Sequence, residues 1–438
     1  MENNKVIAVI DLKAFYSYVE CIDRGLDPWK TPLVVADKSR SVNTIILSVT
    51  PFLKQHGVPS RLRIKDLPKG KFDYIYATPR MARYIEKSSE VVSIIMRYVS
   101  QEDIHVYSID EAFVDLTTYL NFYKKSPLEI VEMIINEITE QTGLMATAGI
   151  GDNFFLAKVA LDIFAKKEKN GIAILHQNEV QEKLWPITPL SKIWGIGERL
   201  EFRLNALGIT TVGELATSNR EYLRDVFGIM GEQLWDHANG IDDSDIREAY
   251  VPKERSYSHA QVLFRDYKYT EVPILIREMV DDLAFRMRNE GQKCNVVSLF
   301  VAYAKPEMGG FSRQMSLLTS TNQNEILYNA LIELLNKFVK DLPIRHVGIS
   351  FGKLTDTKNT QFNLFEDTED QIKNEDLQEA IDQLHNKYGQ NIILRASALT
   401  ESSTAIERHT FIGGHKKWVE EGWKNGMHTK LFKKNLKT

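Results

Sequence analysis

The chain has 438 residues, 43% of them apolar and 26% charged, with a formal net charge of −4. That length exceeds what one hydrophobic core supports, so two to four domains are expected, and the only cysteines, Cys21 and Cys294, exclude a disulfide framework or a four-cysteine zinc site. No run of eighteen apolar residues occurs, and MENNKVIAVID lacks a basic n-region and a cleavage-like site, so neither spanning nor secretion is supported and the cytoplasm is the expected location.

KVIAVID is a β-branched run ending in an acid, and FYSYVECI after it has helical spacing, which predicts strand then helix. PLVVAD is a second strand. Thr50 before Pro51 reads as an N-cap and first-turn proline opening the helix PFLKQHGV, inside a small turn-rich unit over 38–78. An amphipathic helix follows from Tyr84 to Tyr98. HVYSIDEAFVDL then reads as two short strands joined at an acidic pair, before a helix from Leu128 to Thr142 and the strand MATAGIG. Strands and helices thus alternate over 1–166 around one sheet, with acids at strand ends.

From Ser191 the pattern turns to short helices. KIWGIGERLEFRLNALGI and VFGIMGEQLWDHANGI each place a glycine-containing hairpin before a helix. A polar linker near Asp242 to Pro252 leads to four strands (255–264, 295–303, 311–318, 345–352) alternating with helices over 272–290 and 323–339, which is a separate α+β domain. A last helix is expected from Glu375 to Lys387, followed by a stretch without assignment. Net charge alone argues against a nucleic-acid partner, but between Lys253 and Lys353 there are 14 Lys and Arg against 11 Asp and Glu, so that stretch of the C-terminal half is mildly basic.

Phosphoryl transfer needs charge neutralised on the attacking and leaving oxygens, and two divalent cations held by hard carboxylate oxygens do this. Asp11 ends one strand, and Asp110 with Glu111 sits where two others meet. An acid at a strand end more often simply caps a turn. The surrounding motifs are specific, however: DLKAFYSYVE (11–20) and YSIDEAFVDL (107–116) closely resemble the two catalytic motifs of Y-family DNA polymerases, and GIGDNFFLAKVALDIFAK (149–166) with the hairpin near Gly195 extends the likeness.

The resemblance implies an α+β multidomain right-hand polymerase. Its palm would be 1–35 and 79–166, small fingers 36–78, a helical helix-hairpin-helix thumb 167–242, a linker 243–252, an α+β little finger 253–356 and a C-terminal region 357–438. It implies two Mg²⁺ ions, with Mn²⁺ able to substitute, bridged by Asp11 and Asp110; Glu111 would serve the primer-side ion, and the Leu12 carbonyl would complete a shell. Asp115 falls outside that set, as an outward-facing strand residue. For the nucleoside triphosphate the resemblance points to Lys54 and Lys166, with Lys167 the alternative in register, and to Ser48 and Phe15; Tyr16 matches the steric gate beneath the sugar. Phe15, Tyr18 and Val19 suit the core of that helix, which leaves Tyr16 to face the site. Lys54 and Pro51, where other branches carry arginine and tyrosine, favour the UmuC-like branch of Gram-positive bacteria, and a lysine acts there as a point charge rather than a bidentate clamp.

Gly195 and Gly197 would present backbone N–H groups to DNA phosphates, and Lys253, Arg255, Arg313 and Arg345 would straddle the DNA backbone without reading bases. QFNLF (361–365) resembles the peptide by which bacterial polymerases dock on the sliding clamp, with Leu364 and Phe365 as anchors and Gln361 at the pocket rim. Primer–template DNA, deoxynucleoside triphosphates, the sliding clamp and a recombinase filament are the partners so implied, and translesion synthesis in the SOS response, without proofreading, is the implied activity. Two other readings are a non-catalytic DNA-binding factor, which an intact acidic set disfavours, and a nucleotidyl cyclase, which needs neither clamp peptide nor phosphate hairpins.

Overall fold

The computed structural model describes residues 5–248, 251–357 and 368–418, which form two compact units: one over the described residues up to 248, the other from 251 to 417. In the first, IAVIDL forms β1 (Ile7–Leu12), with Ile7, Ala8 and Val9 fully buried. Ala14, at φ 49°, turns the chain in the left-handed region into α1 (Phe15–Asp23). A non-glycine residue there is held at a cost, of the kind stored beside functional groups.

β2 (Leu33–Val35) does not join β1. It pairs antiparallel with β3 (Ser48–Val49) and, beyond α2 (Pro51–Gln55), parallel with β4 (Ile75–Ala77), around a core of Val34, Ile46, Val49 and Leu53. The residues to 35, expected in the palm, therefore contribute this strand to the small sheet. Thr50 occupies the N-cap position of α2, but its hydroxyl makes no cap; it donates to the Thr31 carbonyl at 2.7 Å.

The next helix, α3 (Met81–Ile95), starts and stops three residues earlier than the periodicity suggests. β5 (Ile104–Val106) and β6 (Glu111–Asp115) are the two short strands expected around the acidic pair. A short α4 (Tyr119–Tyr123) leads to α5 (Pro127–Thr142), which is bounded by a Ser126/Glu129 capping box, Pro127 in the first turn and Gly143 at φ 70°. β7 (Ala146–Gly151) runs into α6 (Phe154–Val159), and β8 (Ile172–Leu175) lies parallel to β7. The central sheet has the order β5-β6-β1-β7-β8, with β1 antiparallel to both neighbours, so it reaches past residue 166 into the segment expected to begin the thumb. Glycine is obligatory in GIG because α6 sits directly on β7: a Cβ at Gly149 would lie 2.1 Å from the Ala157 carbonyl oxygen, and one at Gly151 2.4 Å from the Ala157 amide nitrogen.

α7 (Glu198–Asn205), α8 (Val212–Thr217), α9 (Arg220–Phe227) and α10 (Ile229–Ala238) form the helical part, whose Leu204, Leu215 and Leu223 share one core with Phe155 and Leu161.

The second unit is a four-stranded antiparallel sheet in the order β11-β10-β12-β9, made of β9 (Tyr257–Tyr267), β10 (Gln292–Tyr303), β11 (Gly310–Thr321) and β12 (Ile344–Asp356). α11 (Val272–Asn289) and α12 (Asn324–Phe338) pack on it. The final helix, α13 (Thr368–Tyr388), is longer than expected. It is followed by α14 (Ala405–Arg408) and a hairpin of β13 (Phe411–Ile412) with β14 (His415–Lys416). α13 and the previously unassigned segment after it both dock on α11: from the helix Asp382 pairs with Arg288, and from the segment Arg395 pairs with Asp281 and Arg408 with Asp282. Among the described residues no helix is long and apolar enough to cross a membrane.

Candidate active site

The antiparallel register of β1 and β6 sets Asp11 opposite Glu111, which places the two side chains on one face of the sheet. Asp110 is brought alongside because the Leu12 amide donates to its carbonyl at 2.8 Å. Its turn is closed by the Tyr107 and Ser108 amides, both donating to the Glu111 carbonyl, and the Ser108 hydroxyl donates to Asp110 Oδ1 at 2.7 Å. Burial, and then the charges of Asp110 and Glu111, push the Asp11 carboxyl up to about 7. Burial likewise raises Glu111 against the pull of Lys158. Negative charge is thus packed into a half-dry place that a cation would relieve.

Carboxylate oxygens are the donors a hard divalent cation takes, so the residue types fit Mg²⁺. They are not assembled into a cage: among the described residues no three His, Cys, Asp or Glu side chains converge on a common point. Glu111 is engaged elsewhere, with both its oxygens 2.8 and 2.9 Å from the Lys158 ammonium. Lys158 lies inside the quoted GIG motif but was not singled out; a lone lysine within the apolar run FFLAKVAL was the available signal. Asp115, at the far end of β6 opposite Ile7, accepts from the Thr117 amide.

Burial lowers the Lys54 ammonium, Asp11 raises it, and Lys166 and Lys13 lower it, so Lys54 lies within electrostatic reach of Asp11 and of the other two lysines. Lys13 is a further residue that the motif reading passed over. Lys167 instead lies over the Phe164 ring at 5.9 Å. Ser48 is buried and its hydroxyl donates to Ser17 Oγ at 3.1 Å, while the Phe15 ring is in the core, so its part in nucleotide contact would be through the backbone. The Tyr16 ring stacks on Tyr84 with centroids 4.5 Å apart, and its hydroxyl is raised by burial and then by Asp110.

Gly195 takes φ 89° and Gly197 is the N-cap of α7, with open space around both. The second hairpin needs glycine for closeness: a Cβ at Gly231 would meet the Leu223 carbonyl oxygen at 2.0 Å. In the second unit Lys253 and Arg255 are exposed ahead of β9. Arg345 pairs with Asp266 at 3.2 Å and Arg313 lies over Phe338 at 5.0 Å, so both are engaged within their own unit. Gln361, Leu364 and Phe365 lie outside the described residues.

A mixed sheet with carboxylates on its antiparallel central strands, lysines beside them and paired helical hairpins in the same unit is the palm-and-thumb architecture of nucleic-acid polymerases. Known proteins agree. Residues 10–162 match the impB/mucB/samB family, 178–209 the IMS family HHH motif and 254–364 the impB/mucB/samB family C-terminal domain. The chain is 36% identical over 415 residues to the putative UV-damage repair protein UvrX of Bacillus subtilis (strain 168), covering 94% of this chain and 98% of that one. It is 33% identical over 422 residues to DNA polymerase IV 2 of the same organism, covering 95% and 100%. A solved structure, the Y-family DNA polymerase chimera Dbh-Dpo4(243-245)-Dbh, matches with a TM-score of 0.64 over 80% of this chain and 99% of that chain, at 21% identity, which shows the shared fold. The chain belongs to the impB/mucB/samB family, the Y family of translesion DNA polymerases.

Proposed function

We propose that this DNA-directed DNA polymerase extends primers across damaged template bases in the SOS response, by two-metal nucleotidyl transfer and without proofreading. The observation that carries the reading is the register of Asp11 against Glu111, with Asp110 joined to the same strand pair and Lys54 within reach of Asp11, Lys166 and Lys13. Asp11 and Asp110 would hold both Mg²⁺ ions, Glu111 the primer-side ion, and the Leu12 carbonyl one coordination position. When bound, the ions neutralise charge on the attacking and leaving oxygens. The lysines orient the triphosphate as point charges, and Tyr16 fills the space a 2′-hydroxyl would need. A fingers unit of about forty residues supplies few contacts to the nascent pair, which supports tolerance of damaged bases; the printed name of UvrX points the same way.

Gly195 and Gly197 offer backbone N–H groups to DNA phosphate, Lys253 and Arg255 add basic charge, and the peptide over 361–365 docks on a sliding clamp. Primer extension on undamaged and lesion-bearing templates tests the whole reading. Asp110→Ala should lower the extension rate by at least a thousandfold while primer–template binding stays within about threefold, because the metals serve chemistry and other elements grip DNA. A rate within tenfold of wild type would sink it.

A further inference from the structure

Glu111 and Lys158 are each 9% exposed, and the ammonium sits 2.8 Å from one Glu111 oxygen and 2.9 Å from the other. Those are the two oxygens a cation would use. Lys158 cannot drift, because α6 is pressed onto β7 by the two glycines at which no Cβ fits, and β7 is itself paired along β1. Its ammonium does have a second partner: Asp162 Oδ1, one turn on, is 3.3 Å away and its side chain is 34% exposed. Thus the cation already seated on Glu111 belongs to the protein, and an alternative carboxylate waits beside it. The incomplete convergence of the acidic set follows, since the ammonium holds Glu111 where it is, hydrogen-bonded through Oε2 while Oε1 is ion-paired but buried without a hydrogen bond.

We propose that Lys158 is a positioning residue that holds Glu111 out of the metal shell, so that the primer-side cation enters only by displacing the ammonium, which passes to Asp162. This rests on the metal-binding reading of Asp11, Asp110 and Glu111. Two consequences follow from competition of one cation with another for the same oxygens. Cation binding at the Glu111-dependent position is weak until nucleotide and primer add their own oxygens, and removing the ammonium strengthens it. The effect runs through Glu111, which separates it from general neutralisation of the acidic cluster; the latter would persist without the Glu111 carboxylate.

The experiment is a Mn²⁺ titration of the full-length protein without DNA, read by the loss of free-ion EPR signal. Lys158→Met should tighten the weaker Mn²⁺ site about tenfold, Lys158→Arg should stay within about twofold of wild type because it keeps the charge, and Lys158→Met in a Glu111→Gln background should change nothing. Should Lys158→Met unfold, Lys158→Gln, which keeps N–H donors without charge, carries the same expectation. Unchanged or weakened Mn²⁺ binding in the folded variant overturns the proposal, as does an equal tightening in the Glu111→Gln background. Asp110→Ala distinguishes the failures. If it abolishes Mn²⁺ binding while Lys158→Met has no effect, only the role of Lys158 falls; if it binds Mn²⁺ like wild type, the metal-binding reading falls and this proposal with it.

Discussion

The ring of Tyr16 lies 4.5 Å from that of Tyr84 and 28° from parallel to it. Tyr84 is fully buried and its hydroxyl donates to Glu20 Oε1 at 2.7 Å. Glu20 in turn accepts from Arg80 at 2.9 and 3.1 Å and from Arg24. Tyr16 is therefore backed by a ring that a buried, charge-assisted network holds still, which is what an exclusion surface requires. Tyr16→Ala should raise ATP incorporation relative to dATP at least tenfold, and Tyr84→Leu, which removes the backing but leaves the gate, should raise it by a smaller factor. Competitive single-nucleotide insertion measures both; unchanged discrimination in Tyr16→Ala would place the gate elsewhere.

The protonation of Asp11 makes metal-free stability depend on pH. Its folded value of about 7 lies above the ordinary 3.8, chiefly through burial, then Asp110 and Glu111, with Lys158 opposing and Asp162 adding. The native state thus holds the proton more tightly than the unfolded chain. The resulting stabilisation is full below about 4 and is lost as pH rises to about 7. In EDTA the wild type should lose melting temperature from pH 5 to 8 relative to Asp11→Asn, by about 2 to 4 °C for each kcal/mol involved. Tryptophan fluorescence reports mainly on the first unit, which holds Trp29, Trp185, Trp194 and Trp235, four of the six tryptophans, and residues 251–417 contain none. Mg²⁺ at pH 8 should restore the wild type but not the variant; parallel curves for the two proteins would refute the assignment.

Two ion pairs of the second unit should respond unequally to truncation. Arg288 and Asp382 are 14% and 10% exposed and joined by two hydrogen bonds, whereas Arg345 and Asp266 are 44% and 52% exposed. Asp382→Ala strands a largely buried guanidinium and should cost about 3 kcal/mol, freeing the segment after α13 for limited proteolysis. Arg345→Ala should cost less than about 1 kcal/mol. Denaturant titrations followed by far-UV circular dichroism compare them, and equal losses would contradict the burial argument.

Recruitment should be separable from synthesis. Leu364→Ala with Phe365→Ala removes two apolar anchors, each worth about 1.5 to 3 kcal/mol when fully sequestered, so clamp affinity should fall about a hundredfold or more. Clamp-free extension should not change. Surface binding to the sliding clamp and extension with and without loaded clamp check the two halves; normal clamp binding by the double variant ends the docking reading.

Local patterning was sufficient for much of this fold. β1 and α1, the β5–β6 pair and α5 with its Ser126 cap follow from periodicity and capping chemistry that act over a few residues. The acids and Tyr16 were legible because their motifs are contiguous. Strand pairing was not, because partners distant in sequence leave no periodic trace: β2 reads like any palm strand, yet β3 and β4 take its edges, and β8 joins a sheet that the sequence divides from it. The same holds for the charges. That Lys158 faces Glu111 depends on α6 lying against β7 and β7 against β1, a chain of close approaches that GIG permits but does not announce. Likewise Tyr84 under Tyr16, and the C-terminal segment on α11, are contacts between elements whose own patterns specify only a buried face. The chemistry of each side chain is written residue by residue; which charge meets which is decided only when packing removes the water between them.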